Sequence, residues 1–156
     1  MVIRVLAVGR VRHAGLRAAC EDYAGRTRRY LTLEVQEVRE AGRRAADAAT
    51  ARRLEGERLA ASVPAGATVV ALTRTGSACT SGAFARRVGR WREEARDVAF
   101  LIGGAFGLDP DLIGRSEVRL RLAPFTLPHE LARLVLLEQL YRAATILRGE
   151  PYHKGD

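Results

Sequence analysis

The chain has no apolar run near the roughly 20 residues that cross a bilayer, so no membrane partner is expected. Its opening, "MVIRVLAVGR", alternates like a strand and has neither the basic front nor the cleavage site of a secretory signal, which points to the cytoplasm. Cysteine is scarce: Cys20 and Cys79 stand alone with no CxxC spacing, and both read as reduced thiols rather than disulfide partners. The three histidines, His13, His129 and His153, are spaced unlike any zinc motif, and no metal site is expected. The dinucleotide fingerprint G-x-G-x-x-G is missing after the first strand-like segment, and so is the phosphate loop GxxxxGK[ST]. Nicotinamide oxidoreductases and phosphate-loop enzymes thereby become poor readings.

What is present is the composition of a globular protein. The 156 residues are 47% hydrophobic and 28% charged, enough for a real core in one domain spanning residues 1–156. The formal net charge is +8, and every cation except Lys154 is arginine. Such a balance favours a polyanionic partner, nucleic acid ahead of membrane lipid, although an Arg- and Ala-rich composition can also arise from genomic base composition.

Strand-like and helix-like segments alternate. Strands are predicted over 2–9, 31–38, 67–72, 97–103 and 118–122. Helices are predicted over 12–30, with Leu16, Ala19, Tyr23 and Tyr30 as core candidates, around Leu54 and Leu59, over 80–96 with Phe84, Val88 and Trp91, and over 128–148. Asp109-Pro110 can start a short helix, because proline is tolerated in a first turn. This alternation predicts an α/β fold with a mostly parallel sheet and helices on both faces.

The last helix carries more apolar surface than one sheet can cover. At 100° per residue, the side chains from Ala132 to Leu147 spread over half the circumference, with Leu131, Val135 and Ile146 on the remaining side. A second copy of the chain is the expected cover, making a homodimer; a single crowded core is the alternative. Arg133 falls within the apolar arc. A guanidinium there either snorkels out of the first turn or meets a carboxylate, a phosphate or backbone.

Two loops stand out at the carboxyl ends of predicted strands, where a parallel sheet takes its ligands. One is "LIGGAFGLDP", where paired glycines permit a close approach of backbone to a ligand or simply a tight structural turn. The other is "LAPFTLPHE", stiffened by Pro124 and Pro128.

"LIGGAFGL", "LAPFTLPHELARLVLLEQLYRA" and the ending "RGEPYHKGD" resemble the bacterial ribosomal RNA large subunit methyltransferases of the H type. These are 23S rRNA pseudouridine N3-methyltransferases, a minimal branch of the SPOUT class. The likeness covers nearly the whole chain, including "VLAVGR" at the start and "AGRR" at 41–44. It implies a trefoil-knotted α/β fold, an exception to the usual absence of knots. It also implies an obligate homodimer, and S-adenosyl-L-methionine held by the knot loops. By motif, the cofactor would meet Leu72, Gly103, Gly104, Leu122, Ala123, Pro124, Phe125, Thr126 and Leu127. The family often has Pro-Glu after the paired glycines, where this chain has Ala105 and Phe106, and a different pair where it has Ala123-Pro124.

The implied reaction methylates N3 of a pseudouridine in helix 69 of 23S rRNA, on the large subunit or the assembled ribosome. Transfer from a sulfonium disperses positive charge, which a dry apolar pocket favours. The N3–H must leave, and a base or a stabiliser of the developing anion would help by about 10²–10⁴. His129 beside the cofactor loop, and Tyr152 and His153 in the tail, are the candidate catalytic groups. Candidate RNA contacts are Arg43 and Arg44 in the "REAGRR" loop, Arg133, and Arg142, for which an ion pair with Glu138 at i, i+4 is the plainer role. The alternative function is a non-catalytic dimeric RNA-binding module with the same fold.

Overall fold

A computed structural model describes residues 1–42 and 45–153, His153 through its backbone only. Five strands and five helices alternate: β1 (Ile3–Val8), α1 (Ala14–Arg28), β2 (Leu33–Val38), α2 (Ala48–Ser62), β3 (Thr68–Ser77), α3 (Ser81–Glu93), β4 (Val98–Ile102), α4 (Pro110–Arg115), β5 (Val118–Leu120) and α5 (His129–Leu147). A single 3-10 turn, Pro151–His153, follows α5. The strands form one sheet in the order β2-β1-β4-β3-β5, and every pairing is parallel.

Central position explains the composition of β4, "VAFLI", in which all five residues are buried; strands covered on both faces read as continuous apolar runs. Alternation along β1 sends Ile3, Val5 and Ala7 to one face and Leu6 and Val8 to the other. The first face packs against α1, α3 and α5 through Phe84, Val88, Leu136 and Leu140. The second packs against α2 and α4 through Leu59 and Leu112, and against the loop before α4 through Leu108. Both faces are thus covered by helices, as the alternation predicts.

The helix starts follow local chemistry. Asp47 accepts a hydrogen bond from the Thr50 amide at 2.7 Å, and Thr80 accepts one from Ala83 at 3.2 Å, the usual capping of orphan N–H groups. Along α1 the buried positions are Cys20, Ala24 and Thr27, while the expected core residues Leu16, Tyr23 and Tyr30 are only partly buried against the same cluster. Burial raises the Cys20 thiol above its ordinary range.

Two strand boundaries differ from expectation. β5 stops at Leu120, which leaves Leu122 in the loop, and β3 continues past Leu72 to Ser77. The register with β5 slips between Leu72 and Ser77. Gly76 makes this possible: a Cβ there would stand 2.7 Å from the Arg119 carbonyl carbon. A bulged strand end beside a sheet opening is a common way to re-aim side chains.

Candidate functional site

The loops after β3, β4 and β5 meet at the carboxyl ends of their parallel strands and enclose a cleft of about 870 Å³. Gly103, Gly104, Thr126, Leu127 and His129 line it, together with Leu72. A smaller adjoining pocket shares Leu72 and Leu127 and is lined by Leu122, Ala123 and Phe125. Eight of the nine residues expected to hold the cofactor therefore surround two connected hollows, Pro124 alone lying outside both linings. The size suits a small-molecule cleft, for which roughly 300–1,000 Å³ is typical.

The walls are mostly aliphatic carbon and backbone. Ile102, Leu108, Ile113 and Pro128 contribute the apolar part. The cleft also takes in Thr73, Arg74 and Thr75, which sequence reasoning missed because it ended β3 at Leu72. Arg74 Nη1 lies 3.5 Å from Thr126 Oγ1 across the opening. Phe106 and Phe125 are the exposed large apolar residues of the described chain, at 56% and 81%, and they stand at the rim of these hollows.

The paired glycines are required first by the protein itself. A Cβ on Gly103 would sit 2.3 Å from the Gly107 carbonyl carbon, and one on Gly104 would sit 2.9 Å from Val8 Cγ1. Gly107 adopts a positive φ of 82°, and its N–H closes the turn onto the Gly104 carbonyl at 3.0 Å. The tight structural turn thus accounts for the glycines, while the turn's surface borders the cleft.

His129 opens α5 directly after Pro128, with no side-chain cap on that helix, and it lines the cleft. Beside it Glu130 accepts the Arg12 amide at 3.1 Å and the His13 amide at 3.3 Å, tying α5 to the loop after β1. Those bonds hold its carboxyl below the usual range, the Arg12 amide contributing most.

The tail candidates lie elsewhere. The Tyr152 hydroxyl donates to Glu138 Oε1 at 3.1 Å and lies 3.2 Å from the Tyr23 hydroxyl. Its ring packs edge-on against Tyr141 with centroids 4.7 Å apart, and the Arg142 guanidinium sits 5.0 Å above it. Burial first, then the Tyr23 bond and the Glu138 charge, push the phenol well above its ordinary value. Tyr152 therefore keeps its proton at neutral pH and can offer a hydrogen bond. Arg142 Nε binds Glu138 Oε1 at 3.0 Å, the i, i+4 pair that the spacing allows. Glu138, considered only as that partner, thus organises the patch. At 1.5 Å per helical residue, Glu138 is roughly 14 Å and Arg142 roughly 20 Å along α5 from His129. Among the described residues, one chain does not bring His129 and Tyr152 together.

Arg133 is buried at 2% exposure. Nη1 donates to Glu37 Oε1 at 2.6 Å and Nη2 to the Gly9 carbonyl at 2.7 Å. Of the expected roles, the structure has a carboxylate and backbone in its reach: the charge is paired inside the chain, while the buried Nε has no hydrogen-bond partner among the described residues. Arg43, Arg44 and the His153 side chain lie outside the described residues. Among the described residues no cluster of His, Cys, Asp or Glu could hold a metal ion, and no helix is long and apolar enough to cross a membrane.

A protein family described as "Predicted SPOUT methyltransferase" matches residues 1–153. The ribosomal RNA large subunit methyltransferase H of Gemmatimonas aurantiaca is 53% identical over 154 residues, covering 99% of this chain and 100% of that protein. The protein of the same name from Sorangium cellulosum is 46% identical, covering 97% and 99%. Among solved structures, a probable methyltransferase from Bordetella pertussis superposes with a TM-score of 0.56 at 18% identity, covering 91% of this chain and 95% of that one. A probable methylase family protein from Haemophilus influenzae gives 0.55 at 14% identity, covering 98% and 70%. At such low identity the two structures speak for the fold alone.

Proposed function

We propose that this chain, which belongs to the SPOUT methyltransferase family, methylates N3 of a pseudouridine in helix 69 of 23S rRNA. The observation that carries the reading is the cleft: two stiff loops at the carboxyl ends of parallel strands, apolar and backbone-lined, in a chain 53% identical to a named rRNA methyltransferase.

The residues present fit S-adenosyl-L-methionine. Leu72, Gly103, Gly104 and Leu127 offer close-approaching backbone and aliphatic walls, and the adjoining hollow of Leu122, Ala123 and Phe125 extends them. Pro124 has no N–H to donate, so hydrogen bonding from that loop falls to its neighbours. When bound, the cofactor supplies a methyl group on a sulfonium. The protein's part is to exclude water from the cleft, which favours a transition state with dispersed charge, and to handle the proton that leaves N3.

His129 is the group on the cleft wall able to accept that proton. Tyr152, kept protonated by its surroundings, would donate a hydrogen bond to the developing anion on the base. Arg142, held beside it by Glu138, would grip the base or its phosphate. These two reach a cleft only if it belongs to another chain. The partial exposure of Leu131, Leu134, Val135 and Ile146 on α5 supports a homodimer in which the tail of one protomer completes the cleft of its partner. Membership of the SPOUT family supports the trefoil knot. Substrate in the assembled large subunit, and hence the cytoplasm, follows from the same reading, as do phosphate contacts from Arg43 and Arg44.

The test is incubation with radiolabelled S-adenosyl-L-methionine and ribosomes lacking the modification, followed by mapping of the labelled nucleotide. Label at N3 of the helix 69 pseudouridine is the expected outcome. No label, with ribosome binding intact, would leave a dimeric RNA-binding module.

A further inference from the structure

A second pocket, of about 540 Å³, opens beside the cofactor cleft and shares Gly104, Ala105, Phe106 and His129 with it. Among the described residues its lining offers little to a polyanion. Four carboxylates, Glu40, Asp47, Glu55 and Glu130, face two potential cations, Arg12 and His129. Three of the four are engaged: Glu40 by Arg12 at 3.0 Å, Asp47 by the Thr50 amide at 2.7 Å, and Glu130 by the amides of Arg12 and His13.

Glu55 is different. It is only 6% exposed. Oε1 accepts the Ala41 amide at 2.9 Å, whereas Oε2 has no hydrogen-bond partner among the described residues. A buried carboxylate oxygen left unpaired is costly and calls for a reason. Oε2 lies directly under the Gly104–Gly107 turn, where a Cβ on Gly104 would stand 3.0 Å from it. Within the same turn, half-exposed Phe106 borders both hollows.

We propose that this pocket seats the target nucleobase, with Phe106 stacking on its face and Glu55 Oε2, uncovered by a shift of the Gly104–Gly107 turn, accepting a hydrogen bond from a ring N–H. The inference rests on the RNA-methylating function proposed above. Electrostatics sort the nucleotide: the carboxylates turn phosphate away and receive an N–H edge. The neighbouring groove is lined by Arg10, Arg12 and Arg39 beside Glu37 and Glu40, both of which are already paired with arginines, and its remaining positive charge stands where flanking phosphates would lie. Pseudouridine carries two ring N–H groups. N3 is the site of methylation, and N1 is the nitrogen that uridine uses for its glycosidic bond. An acceptor holding N1–H leaves N3 free to react and separates pseudouridine from uridine, since a site built for a substrate N–H rejects the analogue without it.

The experiment compares ribosomes carrying pseudouridine or uridine at the target, with wild-type protein and Glu55→Gln, under saturating S-adenosyl-L-methionine. Glutamine retains an acceptor for Ala41 and puts an N–H donor in place of Oε2. Wild type is expected to favour pseudouridine by about 100-fold or more in kcat/KM. Glu55→Gln should lower kcat/KM on pseudouridine at least about 10-fold and erase most of the preference, with cofactor affinity unchanged by calorimetry. Phe106→Ala, in an exposed turn where folding is safe, should raise the ribosome KM by about 10-fold. An unchanged preference in Glu55→Gln overturns the proposal. So does a fall in cofactor affinity matching the loss of activity, which would assign Glu55 to the cofactor. A wild-type protein that labels neither ribosome removes the underlying methylation reading, and the inference with it.

Discussion

Around the cleft, what a ligand would meet is largely backbone and aliphatic carbon: the Gly103–Leu108 turn, Leu72, Leu127 and Pro128. Around the tail, the surface is made by side chains alone, with Tyr23, Tyr141 and Tyr152 packed together, Arg142 above a ring, and Glu138 binding both Arg142 and the Tyr152 hydroxyl. The first region depends on where the chain runs, so it tolerates side-chain changes but not an added Cβ at a close approach. The second depends on which functional groups are present, so one oxygen can matter while the backbone is indifferent.

The sharpest test of that contrast is Gly103→Ala. Its Cβ would stand 2.3 Å from the Gly107 backbone, where no side chain can yield. A loss of about 3 kcal/mol or more is expected, seen as a lower Tm together with loss of measurable cofactor binding by calorimetry. Retained cofactor affinity would show that the turn does not shape the cleft. Arg133→Ala should come next. It strands the buried Gly9 carbonyl and leaves a cavity, costing roughly 3 kcal/mol, or about 6–12 °C in Tm for a chain of this size. The salt dependence of ribosome binding should stay as it was; a shallower slope would return Arg133 to the RNA surface.

Tyr152→Phe keeps the ring against Tyr141 and removes only the hydroxyl. Methyl transfer should fall by about 10–100-fold, with cofactor affinity and Tm nearly unchanged. A matching loss of Tm would make the hydroxyl structural instead. The same hydroxyl has a pH signature. Its folded value is raised above the ordinary 10, so the neutral phenol is favoured in the folded state. That stability is complete below pH 10 and fades as pH climbs beyond it. Thermal melts from pH 9 to 11 should show Tm falling by a few °C, less steeply in Tyr152→Phe. The smallest effect belongs to Phe125→Ala: at 81% exposure the ring should change stability by no more than about 0.5 kcal/mol, while cofactor affinity drops a few-fold.

Much of this architecture is legible in the sequence alone. The strongly apolar runs in "VIRVLAVG" and "DVAFLIG" are direct consequences of two neighbouring strands buried on both faces, with successive side chains divided between the two cores. The β3 extension was not legible, because "TRTGS" has no apolar period; it is held as strand by β5 and by the absence of a side chain on Gly76. The cofactor loops were recognisable from motif, and eight of their nine named residues do border connected hollows. Glu55 escaped notice because nothing local distinguishes a buried carboxylate from a solvated one on a helix rich in charge.

By itself the sequence determined the class of fold, the order of strands and helices and the chemistry available at each loop, since hydrophobic period, glycine and proline act over a few residues. Only the tertiary structure decided which of those groups meet. Arg133 finds Glu37 and Gly9 across separations of 96 and 124 residues, and Tyr152 finds Tyr23 across 129. Such partners share no local pattern; they come together because a parallel sheet gathers the ends of distant strands at one edge and stacks distant helices on one face.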